Sequence, residues 1–189
     1  MRMEEIPVMP IYPEAAWREV EEWQLIGPFE IGVIDPKGIG ADIHSANPGL
    51  FRLFGPESGY QQDIPGYAGL SWNKVNSGPK GLLNHNALLG TADEAAAFSY
   101  VAIDSPEAET TYALMYADNF VQAYVNGELV EKAMGFGAPG GFVYVPLALH
   151  QGQNTVVIKT INHHGDWFLR FRLADPEHHL RLSIDPAAP

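Results

Sequence analysis

The chain has 189 residues, 46% of them apolar and none of them cysteine, and its 23 acidic against 11 basic side chains give a formal charge of -12. That length suits one all-β domain with a sizeable core, while the charge repels nucleic-acid phosphates and anionic lipid headgroups, so neither a nucleic-acid nor a membrane partner is expected. With no cysteine, disulfides, thiolate zinc sites and thiol nucleophiles are excluded.

The opening stretch MRMEEIPVMPIYPEA carries acids and three prolines where a signal peptide needs a basic start and an unbroken apolar run. No later apolar run approaches the roughly 20 residues of a membrane-spanning helix. The expected setting is cytoplasmic if these residues are the whole product, and otherwise that of one module of an exported protein. Residues 1–22 are predicted to form an N-terminal extension, with a short helix from Pro13 to Glu22 that has Pro13 in its first turn.

Trp23, Leu25, Gly27 and Phe29 alternate and predict an early strand. Between Pro36 and Asn86 the chain is rich in Gly, Pro and Asn, which predicts long loops carrying a few strands. From about Phe98 short strands follow one another, their alternating apolar positions putting one face of each segment into a core. Tyr112, Leu114 and Tyr116 share a face, Ala117-Asp118-Asn119 reads as a turn, and Val121, Ala123 and Val125 share a face of the next strand, together predicting a hairpin. Asn126-Gly127 predicts a second, tight hairpin, because both residue types tolerate the positive φ of a type I′ turn.

The segment Phe142 to Leu147 alternates again, Gln151 to Asn154 forms a turn, and Thr155 to Ile161 forms a strand. After a turn over Asn162 to Asp166, the last strand points Trp167, Leu169, Phe171 and Leu173 inward and Arg170 and Arg172 outward. The sum is an antiparallel meander, clearest over 97–176.

Gly135 to Gly140 matches the G-x-G-x-x-G dinucleotide pattern, but Pro139, Gly140 and Gly141 lead into a β-patterned stretch where that pattern requires a helix. A flexible loop is expected instead. His163-His164 with Asp166, and His178-His179, raise the question of a metal. Adjacent residues of an extended chain point in opposite directions, however, and no H-x-H or H-E-x-x-H spacing occurs, so surface histidines are expected and no metal ligands are assigned. There is no G-x-S-x-G elbow, and Ser58 and Ser71 lie in loops without a recognisable partner.

Loop aromatics carry more information. A pyranose ring stacks its C–H groups on Trp or Tyr while its hydroxyls seek Asn, Asp, Gln, His and Arg. Trp72 with Asn73 and Asn76, Tyr60 with Gln61 and Gln62, and His163, His164 and Asp166 beside Trp167 combine these types, with Trp23 and Trp167 themselves expected in the core.

The stretch YALMYADNFVQAYVNGELV, followed after a loop by FVYVPLALHQGQNTVVIKTINHHGDWFLRFRLADP, resembles the galactose-binding-like β-sandwich domains attached to glycoside hydrolases and present in large bacterial polysaccharide-degrading proteins. Asp118-Asn119, Asn126-Gly127, the turn from Leu149 to Gly152 and Asn154, Lys159, and Trp167 with Arg170 carry the likeness, with Leu149 one residue further from its glycine than the pattern has it. Trp23 to Phe29 resembles the opening strand, and Tyr67 to Trp72 resembles the segment before the middle strands. The resemblance implies an antiparallel jelly-roll sandwich, an accessory role that often binds carbohydrate, and in some members a structural calcium. It also implies that its Asp, Asn-Gly and Gly-x-Asn positions shape turns.

The leading expectation is therefore a non-catalytic carbohydrate-binding module that stacks a sugar on Trp72 or Tyr60 and binds its hydroxyls through Asn73, Asn76, His163, His164 and Asp166. One alternative is a structural domain for oligomerisation or for docking to a glycoside hydrolase partner. A second is a small jelly-roll enzyme acting on carbohydrate, because two carboxylates can meet in space without any sequence spacing that reveals it.

Overall fold

The computed structural model describes residues 10–35, 37, 43–133 and 142–186. In chain order the strands are β1 (Trp17–Glu19), β2 (Glu22–Glu30), β3 (Asn73–Asn76), β4 (Leu82–Asn84), β5 (Ala95–Ser105), β6 (Glu109–Asp118), β7 (Phe120–Val125), β8 (Glu128–Ala133), β9 (Val143–Leu149), β10 (Gly152–Asn162), β11 (Phe168–Ala174) and β12 (Arg181–Ser183). Two short helices, α1 (Ile43–Ala46) and α2 (His85–Leu89), interrupt them. All strand pairs are antiparallel and form two sheets. Sheet A has the order β1-β11-β6-β9 with β4 also on β11, and sheet B the order β3-β2-β5-β10-β7-β8 with β12 also on β5. The protein is an all-β sandwich, as the strand pattern predicts. Among the described residues no helix is long and apolar enough to cross a membrane.

Two apolar layers hold it together. The first lies between the sheets, where Leu169, Phe171 and Leu173 of β11 meet Val121, Ala123 and Val125 of β7 and Val156 and Ile158 of β10. The second covers the far side of sheet B, where Phe98, Tyr100, Tyr124 and Val157 are roofed by Ile34, Leu50, Phe54 and Ile64 from the long loop region. Sheet B is thus buried on both faces, which is why β5 reads AAAFSYVAI and β7 reads FVQAYV with hardly any alternation. Gly49 lets the roof close, since a side chain there would collide with the Ile31 carbonyl.

Several sequence expectations hold. Trp23 and Trp167 are core residues, and β2 occupies the predicted early strand. Asn126 and Gly127 have φ of 52° and 82° and close the β7–β8 hairpin. Asn154 pins the predicted turn: its amide donates to the carbonyls of His150 and Gly152, and its Oδ1 accepts from His150 N. The expected loop over Gly135 to Gly140 lies outside the described residues.

Three expectations need correction. Pro13 to Glu22 does not form a helix; a single 3-10 turn at Glu14–Ala16 leads directly into β1, because three residues there pair with β11. The segments around Asp118-Asn119 are not a hairpin, and the second half is not a meander. β6 pairs with β9 and β11 in sheet A, whereas β7 pairs with β8 and β10 in sheet B, so the chain crosses the sandwich at Asn119. Finally, Tyr112, Leu114 and Tyr116 share a face, but the opposite face of β6, with Thr111, Ala113, Met115 and Ala117, enters the core.

Candidate functional site

That last correction leaves the outer face of sheet A lined with rings. On β11 the inward Leu169, Phe171 and Leu173 force Phe168, Arg170 and Arg172 outward, and the register sets Phe168 opposite Asp118, Arg170 opposite Tyr116 and Arg172 opposite Leu114. Tyr116 lies 5.3 Å from both Phe142 and Phe168, centroid to centroid, and Phe142 is 56% exposed. Further along the same face Tyr112 stacks on Tyr144 at 4.9 Å, with Trp17 edge-on to Tyr144 and Tyr12 edge-on to Trp17. Tyr112 and Tyr116 are about 13 Å apart along β6, so the rings form a row longer than a single sugar.

Charge is placed unevenly on this face. Arg172 is held by Glu14 through both terminal nitrogens, at 3.2 and 2.7 Å. Arg170 makes no ion pair or hydrogen bond among the described residues, and its Nε is shielded from solvent without an acceptor.

The row ends at the loops that join the sheets. Asn119 donates its amide to Asp118 Oδ1 at 2.6 Å and accepts from His163 N at 2.7 Å, which ties the β6–β7 crossing to the β10–β11 loop. His163 is committed further, its Nδ1 lying 2.9 Å from Glu94 Oε1, while Glu94 Oε2 accepts from Ile34 N. His164 stands edge-on to the His163 ring at 4.3 Å, and both His164 and Asp166 are exposed. Burial raises the pKa of the Asp118 carboxyl, the negative charge of Asp166 adds to this, and His164 partly offsets it. Of the sequence-predicted residues, His164 and Asp166 therefore stand free near Asp118, and His163 acts as a brace.

Trp72 and Tyr60 lie elsewhere. They stack on each other at 5.3 Å over the edge of Tyr100, half-buried in the roof of sheet B, and the Trp72 indole donates to Gln61 O at 2.8 Å. Asn73 is exposed and donates to Ser71 O; Asn76 is exposed on β3, opposite Glu22. Along β5 the Tyr100 position is about 17 Å from Ala95, which pairs with Asn162 beside the histidines, so the two predicted groups do not converge. Among the described residues no group of three or more His, Asp or Glu could hold a metal ion, so the structural calcium that the resemblance implies finds no ready set of side-chain carboxylates there.

Sequence reading missed Tyr116, Phe142, Phe168, Arg170 and Asp118 as a group. Outward placement of Arg170 and Arg172 was the available signal, since residues opposite them across the ladder must face outward too.

No family model matches the chain, and no curated protein matches it. Solved structures do. An anti-sigma factor domain-containing protein from Clostridium clariflavum is 17% identical over 50% of this chain and 33% of that one, with a TM-score of 0.37. The A domain of epithelial adhesin 9 from Candida glabrata, in complex with Galβ1-3GlcNAc, is 11% identical over 94% of this chain and 95% of its own, with a TM-score of 0.48. A β-glucuronidase from Ruminococcus gnavus is 14% identical over 90% of this chain and 32% of that one, with a TM-score of 0.47. This chain thus spans only about a third of the length of the first and third of these proteins, and at such values no ligand or activity passes from any of them to it.

Proposed function

We propose that this protein binds a glycan without transforming it, and that the glycan lies on the outer face of sheet A, across Tyr116, Phe142 and Phe168. The observation that carries this reading is the exposure of Phe142, 56%, on a row of rings with a carboxylate at one end. A large apolar ring left open beside polar groups suits the C–H face of a sugar, with Asp118, His164 and Asp166 within reach of its hydroxyls. Residues 1–189 are taken as one domain. Tyr60, Trp72, Asn73 and Asn76 would form a second, separate patch on the roof of sheet B.

The test is a glycan panel read by thermal shift, since a ligand that binds only the folded state raises its stability. Glycan-dependent stabilisation that disappears in Tyr116→Ala and Phe168→Ala, and persists in Tyr60→Ala, is the expected result. Stabilisation lost only in Tyr60→Ala would move the site to the roof, and silence across the whole panel would reject glycan binding.

A second reading, an assembly domain, draws on a different surface. Leu53 and Leu129, 70% and 37% exposed, rim a groove of about 470 Å³ floored by Gln122 and Tyr124. Concentration-dependent association that is abolished by Leu53→Glu would favour this reading.

A further inference from the structure

We propose that the glycan bound on this face carries carboxylates, as a uronate-containing polymer does, and that Arg170 is the residue that selects it; this rests on the glycan-binding reading above. Three observations converge. Arg170 stands between rings, opposite Tyr116 across the ladder and two residues from Phe168 on its own strand. Among the described residues it has no counter-ion, although the chain carries 23 acids, whereas its neighbour Arg172 is paired with Glu14 through both terminal nitrogens. Its terminal nitrogens, unlike those of Arg172, have no partner among the described residues and are not shielded from solvent; only its Nε is, as is that of Arg172. A guanidinium whose terminal N–H groups are open and have no acceptor in the protein is available to a bound acceptor of opposite charge.

The chemistry of the guanidinium narrows that acceptor. Its planar fork matches the two oxygens of a carboxylate with parallel, charge-assisted hydrogen bonds, a pairing that single hydroxyl oxygens do not reproduce. Ring stacking on Tyr116 and Phe168 would hold the sugar, and the fork would read its acid group. The acids that share this face do not fill the role: Glu14 is spent on Arg172, Glu19 stands opposite Arg172, and Asp118 is diagonal to Arg170, about 7 Å away between Cβ atoms, with Oδ1 engaged by Asn119. The formal charge of -12 acts over distances at which about 0.1 M salt screens it, so it slows the approach of a polyanion more than it weakens a contact made at Arg170.

The experiment compares polygalacturonate, alginate and glucuronoxylan with their carboxyl-reduced counterparts, which keep the polymer backbone and lose the charge. Binding is read by calorimetry or affinity electrophoresis at 0.1 M salt. For at least one pair we expect the acid form to bind about tenfold tighter or more than the reduced form. Arg170→Gln should remove that preference, lowering affinity for the acid form to that of the reduced form measured on the same variant, and Arg170→Lys should restore part of it; thermal melting confirms that both variants are folded. Equal or tighter binding of the reduced polymers, lost in Tyr116→Ala, would overturn the selectivity and leave the glycan site standing. An acid preference that survives Arg170→Gln would also overturn the role of Arg170, and no binding to any polymer, acid or neutral, would reject both proposals.

Discussion

Lys159 and Glu57 form a buried pair that fastens the loop roof to sheet B. The ammonium lies 3.6 Å from a carboxylate oxygen of Glu57 and donates to the backbone carbonyls of Arg52 at 2.6 Å and Leu50 at 3.3 Å. The Glu57 carboxylate in turn accepts from the backbone N–H of Phe54 and Gly55. A single extended side chain from the middle of β10 thus organises residues 50–57.

Removing it should be expensive. Lys159→Met removes the donor to the Arg52 and Leu50 carbonyls, which a neutral lysine amine keeps, and should destabilise the fold by about 2 kcal/mol, seen as a lower urea midpoint. Burial lowers the pKa of Lys159 from 10.5 to about 8 against the opposing pull of Glu57. The unfolded chain therefore holds more protons between about pH 8 and 10.5, and through this group stability rises with pH across that window. The variant should lack this rise, and parallel pH profiles for the two proteins would contradict the assignment.

His85 predicts the opposite end of the pH scale. It is fully buried, its ring lies 5.2 Å from that of Trp167, and among the described residues neither ring nitrogen has a hydrogen-bond partner. Burial lowers its pKa from 6.5 to about 3, so its contribution is present above pH 6.5 and is lost as pH falls from there towards 3, where the unfolded chain takes up a proton that the folded chain refuses. His85→Phe should flatten the acid limb of the stability profile and cost little at neutral pH, because an unpaired buried polar group is replaced by a ring. A variant that is strongly destabilised at pH 7 would point to a partner for the imidazole.

Asn154 is fully buried and joins three neighbouring segments: its amide reaches Ile103 O as well as the turn carbonyls, and its Oδ1 also accepts from Asn126 Nδ2. Asn154→Ala strands several of these groups in the interior and should cost about 2–3 kcal/mol, measurable by denaturant titration. Glycan affinity should not change, since this turn lies at the opposite end of β10 from Asn162.

Trp72→Ala removes the stack on Tyr60 and the contact with Tyr100, and should lower stability by about 2 kcal/mol. Its effect on glycan affinity is the clearest comparison with Tyr116→Ala: the proposed site on sheet A predicts retained affinity in the former and lost affinity in the latter.

Local sequence determined a good deal. Alternation fixed the inward face of β11, paired φ-tolerant residues fixed the turn at Asn126-Gly127, and absent cysteine removed whole classes of chemistry. The resemblance residues Asp118-Asn119, Asn126-Gly127 and Asn154 proved to be residues that tie turns and crossings together. Tertiary structure decided what alternation leaves degenerate. On β6 both faces are apolar, Tyr-x-Leu-x-Tyr on one and Ala-x-Met-x-Ala on the other, and the smaller set faces inward because the space between the sheets is already filled by large side chains such as Phe171, Trp23 and Ile158. Sheet membership was equally hidden, since a strand that crosses the sandwich and one that turns back have the same period of two, and only their distant partners distinguish them. The aromatic row and the unpaired Arg170 exist because those partners, far apart in the chain, stand in register.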